Sequence, residues 1–451
     1  MKREYKIALI LFGCAVLFRL LFAIPGMQNP ELLMRPDSAT YLAPAQALLE
    51  YGHYGHGSFP TALRVPLYPV LLTPWLWLDG GSAGFFCILI NLLLSSAAVP
   101  LIWLSCRELG IPEKYSLAGT AIYLLTPTPV ALAPMFLSDG LFGTVAALEM
   151  FFLVRFLQRK ESLWLYLAAV TGGLGVLVRP LNLLWIVPCL FAVSFQYRKN
   201  WRKFLKDGII ATLLFSAVFA PWLLRNHIRG FGWRIDTVSA DSLKHNAAIV
   251  ESRLTGRPAQ HFRDAYEVHF KAHFAANPKL FRTEAEELTY REQYLTAILK
   301  KHPGIYLKGF FHPVNFIPDV PSLLENLGLS KGNKGTLDVI VNYGIFAGLK
   351  HYFNGQYWLL ILLFPLCLLL AAGYFLAVYG FFSMLRKKNW FLPLLFLPLG
   401  FYYITVTGPV AYPRFSLPIL PYISLLTAVG LQLLQERKQE GKINTTSERN
   451  F

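Results

Sequence analysis

An all-α membrane protein of about ten transmembrane helices, with a helical first outer loop and a small extracytosolic domain, is the fold class this sequence predicts. Three observations predict it. Of the 451 residues, 55% are hydrophobic and only 15% are charged, with a mean hydropathy of +0.43. A soluble chain cannot hide that much apolar surface, whereas a bilayer favours it. Apolar runs of about 20 residues, enough to cross at about 1.5 Å per residue, recur along the chain. The cations fall between those runs in a regular alternation.

Expected crossings lie near 7–25, 84–106, 115–134, 140–157, 163–179, 181–197, 207–225, 357–384, 390–407 and 415–434. Met1 to Lys6 and the apolar run behind them have the look of a signal peptide. Arg19 interrupts the run and no small-residue cleavage site follows, so it reads as a retained first helix. The stretch 66–78 is short and broken by Pro66, Pro69 and Pro74, which predicts a re-entrant or interfacial piece.

With the N-terminus inside, every inner turn is basic: Lys2/Arg3/Lys6, Arg107/Lys114, Arg155/Arg159/Lys160, Arg198 to Lys206, Arg386/Lys387/Lys388 and Arg437/Lys438/Lys442. The outer turns carry few cations, namely Arg35, Arg64, Arg179, Arg225 and Arg414. The reading is a multi-pass protein of the cell (inner) membrane with both termini cytosolic. The net charge of +16 belongs to this topology and not to a nucleic-acid surface. The five cysteines lie in or beside apolar segments, with no disulfide framework and no CxxC knuckle.

The chain divides into an N-terminal transmembrane region, 1–225, that includes a first outer loop, 26–65. An extracytosolic domain, 226–356, C-terminal transmembrane helices, 357–434, and a polar cytosolic tail, 435–451, expected to fray, complete it. Region 226–356 holds eight of the ten histidines and shows helical periodicity around 260–275 and 283–300. Turn signals stand at Asn277-Pro278, His302-Pro303 and Lys331-Gly332-Asn333. No internal repeat is visible.

The first loop contains Pro36-Asp37-Ser38-Ala39-Thr40-Tyr41, a helix-like stretch to Tyr51, a Gly/His-rich turn and Arg64-Val65-Pro66-Leu67-Tyr68-Pro69. Asp37, and Asp139 in Leu137-Ser138-Asp139, each sit where a plain helix N-cap would also place an aspartate. Topology, however, puts both acids at one membrane face beside Arg64, Arg179, Arg225 and Arg414. Such a group at an apolar–polar boundary is costly without partners. Arginine's planar fork matches phosphate and stays charged, which points to an anionic headgroup. Taken singly, each arginine is better explained by snorkelling or by pairing with a nearby acid; the group together is not.

Together with Val178-Arg179-Pro180, Pro221-Trp222, Arg225-Asn226 and Pro413-Arg414-Phe415, these motifs resemble the C-superfamily glycosyltransferases. More narrowly, the chain is similar to the protein O-mannosyltransferase and lipid A aminoarabinose-transferase group. The resemblance covers about 1–230 and 356–434; residues 230–355 match no family in this way. It implies a polyprenyl-phosphate-sugar donor, a catalytic Asp37, a second acid at Asp139 and a donor-phosphate contact from Arg64. Many members carry adjacent acids where Asp37-Ser38 stands, and the aminoarabinose group a basic residue at the place of Thr40. Those departures leave a divalent metal and the sugar open.

The expected reaction is inverting transfer to a hydroxyl acceptor on lipid, glycan or protein. Asp37 would serve as general base and Asp139 as the positioning or charge-balancing acid. Tyr41, one turn after Asp37, Arg64, Arg179, Arg225 and Arg414 form the substrate-binding set. A lipid-linked-sugar transporter without catalysis is the alternative, disfavoured by the lack of two related halves. Nucleic acid is not an expected partner.

Other groups receive plainer readings. Arg19 and Glu149 are expected to pair structurally inside the bundle. His269 and His273, at i and i+4 near Asp264, read as loop histidines in preference to a metal site. His53 and His56 belong to a flexible turn, and the aromatic stretch 306–316 is interfacial. No phosphate-cradling Gly-rich loop, HExxH or nucleophile elbow occurs, so a nucleotide-sugar donor is disfavoured.

Overall fold

The computed structural model of the chain describes residues 2–310, 315, 317–329, 339–340, 343–353, 356, 358–387, 391–405, 408–410 and 412–448. In chain order the helices are α1 (Lys2–Gln28), α2 (Ser38–Tyr51), α3 (Leu67–Leu78), α4 (Phe85–Ser96), α5 (Ala98–Glu108), α6 (Glu113–Leu125), α7 (Pro127–Leu132), α8 (Asp139–Arg159), α9 (Ser162–Val178), α10 (Ile186–Gln196) and α11 (Trp201–Ile228). They continue as α12 (Val238–Thr255), α13 (Ala259–Ala276), α14 (Glu284–Lys301), α15 (Pro303–Lys308), α16 (Val320–Asn326), α17 (Ile345–Tyr352), α18 (Trp358–Arg386), α19 (Phe391–Thr405) and α20 (Leu420–Glu448). The all-α membrane class is the observed one.

Each expected crossing coincides with helix, although not each with one uninterrupted rod. Among the described residues, five segments are long and apolar enough to cross: Arg3–Gln28, Phe85–Glu108, Asp139–Arg159, Trp201–Ile228 and Ile361–Arg386. Prolines shorten others. Pro127 separates α6 from α7, and Pro180 opens a 3-10 turn, Pro180–Trp185, ahead of α10. The proline-broken stretch at 66–78 is a single 12-residue helix, α3, too short to cross. The polar tail is a correction: in place of frayed chain, α20 runs on to Glu448.

The packing is that of helices in lipid. On α1, Ala8, Ala15 and Ala23 turn inward while Leu9, Leu17 and Leu21 point outward. Small residues let backbones approach where lipid is as apolar as leucine, so dispersion and close contact replace the hydrophobic drive. The α18–α20 seam shows the limit. A Cβ at Gly430 would lie 1.9 Å from the Leu376 carbonyl oxygen, so a side chain there would force the helices apart.

Arginine–carboxylate pairs tie the elements together at both ends of the bundle. At one end Arg3 pairs with Glu113 at 3.0 Å, Arg107 with Glu4 at 3.4 Å, and Glu108 with Arg155 at 3.2 Å and Arg159 at 2.6 Å. The first loop and α12–α16 cover the other end. There α12–α14 bury Ala247, Val250, Tyr266, Phe270, Leu295 and Leu299 in a core of their own. Thr283 and Glu286 cap α14 reciprocally, the Glu286 carboxylate accepting from the Thr283 N–H at 2.9 Å. The turn signal at 331–333 lies outside the described residues, as do Phe311 and Phe316 of the aromatic stretch.

Two expectations change, one about interior charge and one about the first loop. Arg19 and Glu149 do not pair. Arg19 donates to Ser95 Oγ at 3.1 Å and Ser96 Oγ at 3.2 Å, whereas Glu149 Oε1 accepts from Asn182 Nδ2 at 2.6 Å. The glycine/histidine turn is ordered as an antiparallel ribbon, Gly55–His56 against Phe59–Pro60. Gly57, at φ +58°, makes the tight reversal that an L side chain would strain.

Candidate functional site

Asp37 occupies the N-cap position of α2, yet its side chain makes no capping bond. The carboxylate turns instead to two arginines. Oδ1 lies 3.2 Å from Arg64 Nη2, and Oδ2 accepts from Arg414 Nη2 at 2.9 Å. The cap explanation therefore does not account for its orientation. Burial alone would raise this carboxyl, but Arg414 first and Arg64 second hold it below its ordinary value.

Local chain geometry fixes both arginines. Arg64 donates through Nε to Thr40 Oγ1 at 2.8 Å, and its guanidinium lies 4.7 Å from the centre of the Tyr41 ring. The threonine hydroxyl in turn donates to the Asp37 carbonyl at 2.6 Å. Arg414 sits in the short 3-10 turn Pro413–Ser416 just before α20. Residues almost four hundred positions apart thus meet on one carboxylate.

Asp139 is the first residue of α8 and is 1% exposed. Arg179 closes α9 as its C-cap and donates through Nη1 to Asp139 Oδ1. The α8 N-terminus favours the same negative charge. Tyr41 lies between the two ion pairs: its ring faces Arg64, and its buried hydroxyl accepts from Ser138 Oγ at 3.0 Å, one residue before Asp139. Tyr41 also stands edge-on to Tyr68 of α3 at 5.4 Å. Asp37, Asp139, Tyr41, Arg64, Arg179 and Arg414 therefore form one cluster.

Arg225 has another task. Its Nη1 donates to the Thr61 carbonyl at 2.7 Å and its Nη2 to the Tyr54 carbonyl at 2.7 Å, with Trp222 stacked 4.7 Å away. It ties the first loop to the end of α11, and its hydrogen bonds run to backbone oxygens and Asn226.

Two further residues support the site: Asp236, which the sequence did not single out, and Arg35, which it placed only among the outer cations. Asp236 is 6% exposed and accepts from the Ser239 N–H at 3.3 Å, while its neighbour Thr237 donates to the Ala62 carbonyl at 2.9 Å. Burial pushes this acid up to about 6, against the pull of the Ser239 N–H and of Arg64. Arg35 pairs with Glu325 at 3.0 Å and donates to Asn326 Oδ1 at 2.8 Å, anchoring the loop just ahead of Asp37. Neither the burial of Asp236 nor the distant partners of Arg35 leave a periodic signal in the sequence.

The histidines of α13 are engaged with rings. His273 stacks on Tyr290 at 4.3 Å and His269 on Tyr294 at 4.7 Å, while Asp264 accepts from Gln260 at 2.7 Å. Among the described residues no group of three or more His, Cys, Asp or Glu side chains is placed to hold a metal ion.

Residues 66–224 match the family described as dolichyl-phosphate-mannose-protein mannosyltransferase. In fold the chain is similar to the archaeal oligosaccharyltransferase from Archaeoglobus fulgidus solved with an inhibitory peptide and a dolichol-phosphate. The TM-score is 0.50 and the identity 10%, over 98% of this chain and 52% of that one. The apo form of the Archaeoglobus fulgidus enzyme gives 0.49 at 11% identity, with the same coverage. The chain thus spans about half the length of the solved proteins it matches. No curated protein matches it. The sequence likeness covers residues 66–224, and the likeness to the solved structures is one of fold.

Proposed function

We propose that this chain transfers a sugar from a polyprenyl-phosphate donor to a hydroxyl acceptor on the extracytosolic face of the cell membrane, inverting the anomeric carbon. The observation that carries the reading is one partly open carboxylate, Asp37, shared between Arg64 and Arg414 beside a second, sealed acid. Two fixed cations at a membrane boundary suit a lipid phosphate. The Asp37 carboxylate balances the charge of both arginines.

In this reading the donor phosphate draws Arg64 and Arg414 away from Asp37. Released from its partners, Asp37 is a stronger base and takes the acceptor hydroxyl proton as the oxygen attacks C1. The bond from C1 to the phosphate oxygen breaks and its electron pair leaves with the phosphate. The phosphodiester monoanion thereby becomes a monoester one charge richer, and the two arginines meet that added charge. Stabilisation that grows along the reaction is what accelerates it. Asp139, held by Arg179, faces the positive charge that develops at C1, and Tyr41 carries the alignment between the acids.

The test is turnover of purified protein in nanodiscs with polyprenyl-phosphate sugars and hydroxyl acceptors. Release of polyprenyl phosphate with a glycosylated product of opposite anomeric configuration supports the reading. Headgroup translocation without release of sugar would favour a transporter and overturn it.

A further inference from the structure

Glu149, Asn182 and Tyr403 take no part in the steps above, yet they form a continuous buried chain of hydrogen bonds leading to Arg179. Glu149 stands ten residues below Asp139 on α8, about 15 Å along the axis. Its Oε1 accepts from Asn182 Nδ2 at 2.6 Å, and the same amide donates to the Gly172 carbonyl at 2.9 Å. Asn182 Oδ1 accepts from the Tyr403 hydroxyl at 2.7 Å. All three side chains are fully buried.

The backbone N–H of Asn182 donates to the Arg179 carbonyl at 3.0 Å, so the amide sits one 3-10 turn from the arginine that holds Asp139. Tyr402 grips the same turn, donating to the Leu181 carbonyl and accepting from the Leu184 N–H at 3.4 Å. Gly175 permits the approach, because a Cβ there would fall 2.2 Å from Asn182 Nδ2. Helices α8, α9 and α19 thereby close on Pro180–Trp185 from three sides.

Stability alone is a poor reason for this arrangement. Glu149 Oε2 is buried without a hydrogen-bond partner. A buried polar atom left unmatched inside a membrane bundle is costly, and an apolar side chain of similar volume would pack there more favourably. The network therefore serves geometry. We propose that Glu149, Asn182 and Tyr403 are positioning residues that clamp the Pro180–Trp185 turn, so that Arg179 meets Asp139 in a single orientation. The clamp makes the active geometry depend on α19, a helix from the C-terminal end of the chain. The proposal rests on the reading of Asp139 as a site group.

The network uses an acceptor oxygen at Glu149 and no charge, so Glu149→Gln should keep wild-type turnover. Glu149→Leu and Tyr403→Phe should each lower kcat about tenfold, with the donor KM within about twofold, as expected for misplaced groups. In an Arg179→Lys background, Tyr403→Phe should add no further loss, because both changes act through one contact. Hydrogen–deuterium exchange supplies a readout apart from turnover. Peptides covering 179–186 should exchange faster in Tyr403→Phe and Glu149→Leu than in wild type or Glu149→Gln. If Glu149→Leu does not fold, Tyr403→Phe carries the test. Unchanged exchange and kcat in Tyr403→Phe, or full additivity with Arg179→Lys, would overturn the proposal. Faster exchange in a protein whose wild type turns over no polyprenyl-phosphate sugar would leave the clamp standing and defeat the catalytic reading.

Discussion

Asp37 and Asp139 carry the same carboxylate in opposite settings. The Asp37 side chain is 35% exposed and is shared by two arginines, one from its own loop and one from the distant turn before α20. Asp139 is 1% exposed and held by a single arginine at the mouth of α8. In the proposed reaction the first group is the one that exchanges, because its carboxylate is the more exposed of the two acids. The second is built to stay, since breaking it strands a buried charge. One acid therefore suits a changing partner and a changing proton, and the other suits a constant field.

Four outcomes sharpen or break this contrast. Asp37→Asn should lower kcat by about 10²–10⁴-fold, the range of a general base, with the protein still folded. The same variant should bind polyprenyl phosphate more tightly than wild type, because Arg64 and Arg414 lose their competitor. Weaker binding, read by titration in nanodiscs, would show that the carboxylate does not compete with phosphate. Arg64→Ala should lower kcat/KM for the donor about 10²-fold, as for loss of one charge-stabilising donor. A loss confined to acceptor KM would remove the arginine from the phosphate site. Asp139→Ala should destabilise the fold by about 3 kcal/mol, because Arg179 is left largely buried without a partner. Thermal melts of Asp139→Ala against wild type check this.

The smallest effect concerns pH. Asp236 is raised by burial to about 6, so the folded chain holds a proton that the unfolded chain has released above its ordinary value of 3.8. Its contribution is fully present below 3.8 and is lost as pH rises to about 6. Asp236→Asn should flatten that fall, measured as the difference between melting midpoints at pH 4 and pH 7. For Asp37 the sign is reversed. Its lowered value adds stability above the ordinary range, and that share is lost as pH falls through the folded value.

Much of this was legible in the sequence because it depends on runs and spacing. Apolar length gave the helices, and the α13 and α14 periodicity placed Ala259–Ala276 and Glu284–Lys301 within a few residues. Asp37, Asp139, Tyr41, Arg64, Arg179 and Arg414 gathered as expected, since topology alone brings their turns to one end. What was not legible were the partners. Nothing in one dimension distinguishes Arg225, whose donors run to loop carbonyls, from Arg414, whose donor reaches Asp37. Arg19 and Glu149 attract by charge on paper, but helix rotation faces one to serines and the other to an amide. Asp236 is an ordinary loop residue until tertiary packing covers it.

Helix α8 has one further consequence. Its 21 residues span about 30 Å, close to the thickness of a bilayer's hydrocarbon layer. Asp139 stands at one end, while Arg155 and Arg159 are fastened to Glu108 at the other. The helix is therefore a ruler: it fixes the distance between the acid and the Glu108 ion pairs, and under the proposed function it sets the acid's height against the lipid phosphates. In bilayers of shorter acyl chains the ruler must tilt or the lipid must stretch, and the two planes part. Membrane thickness thus becomes a variable of this site, acting on it without touching a single one of its residues.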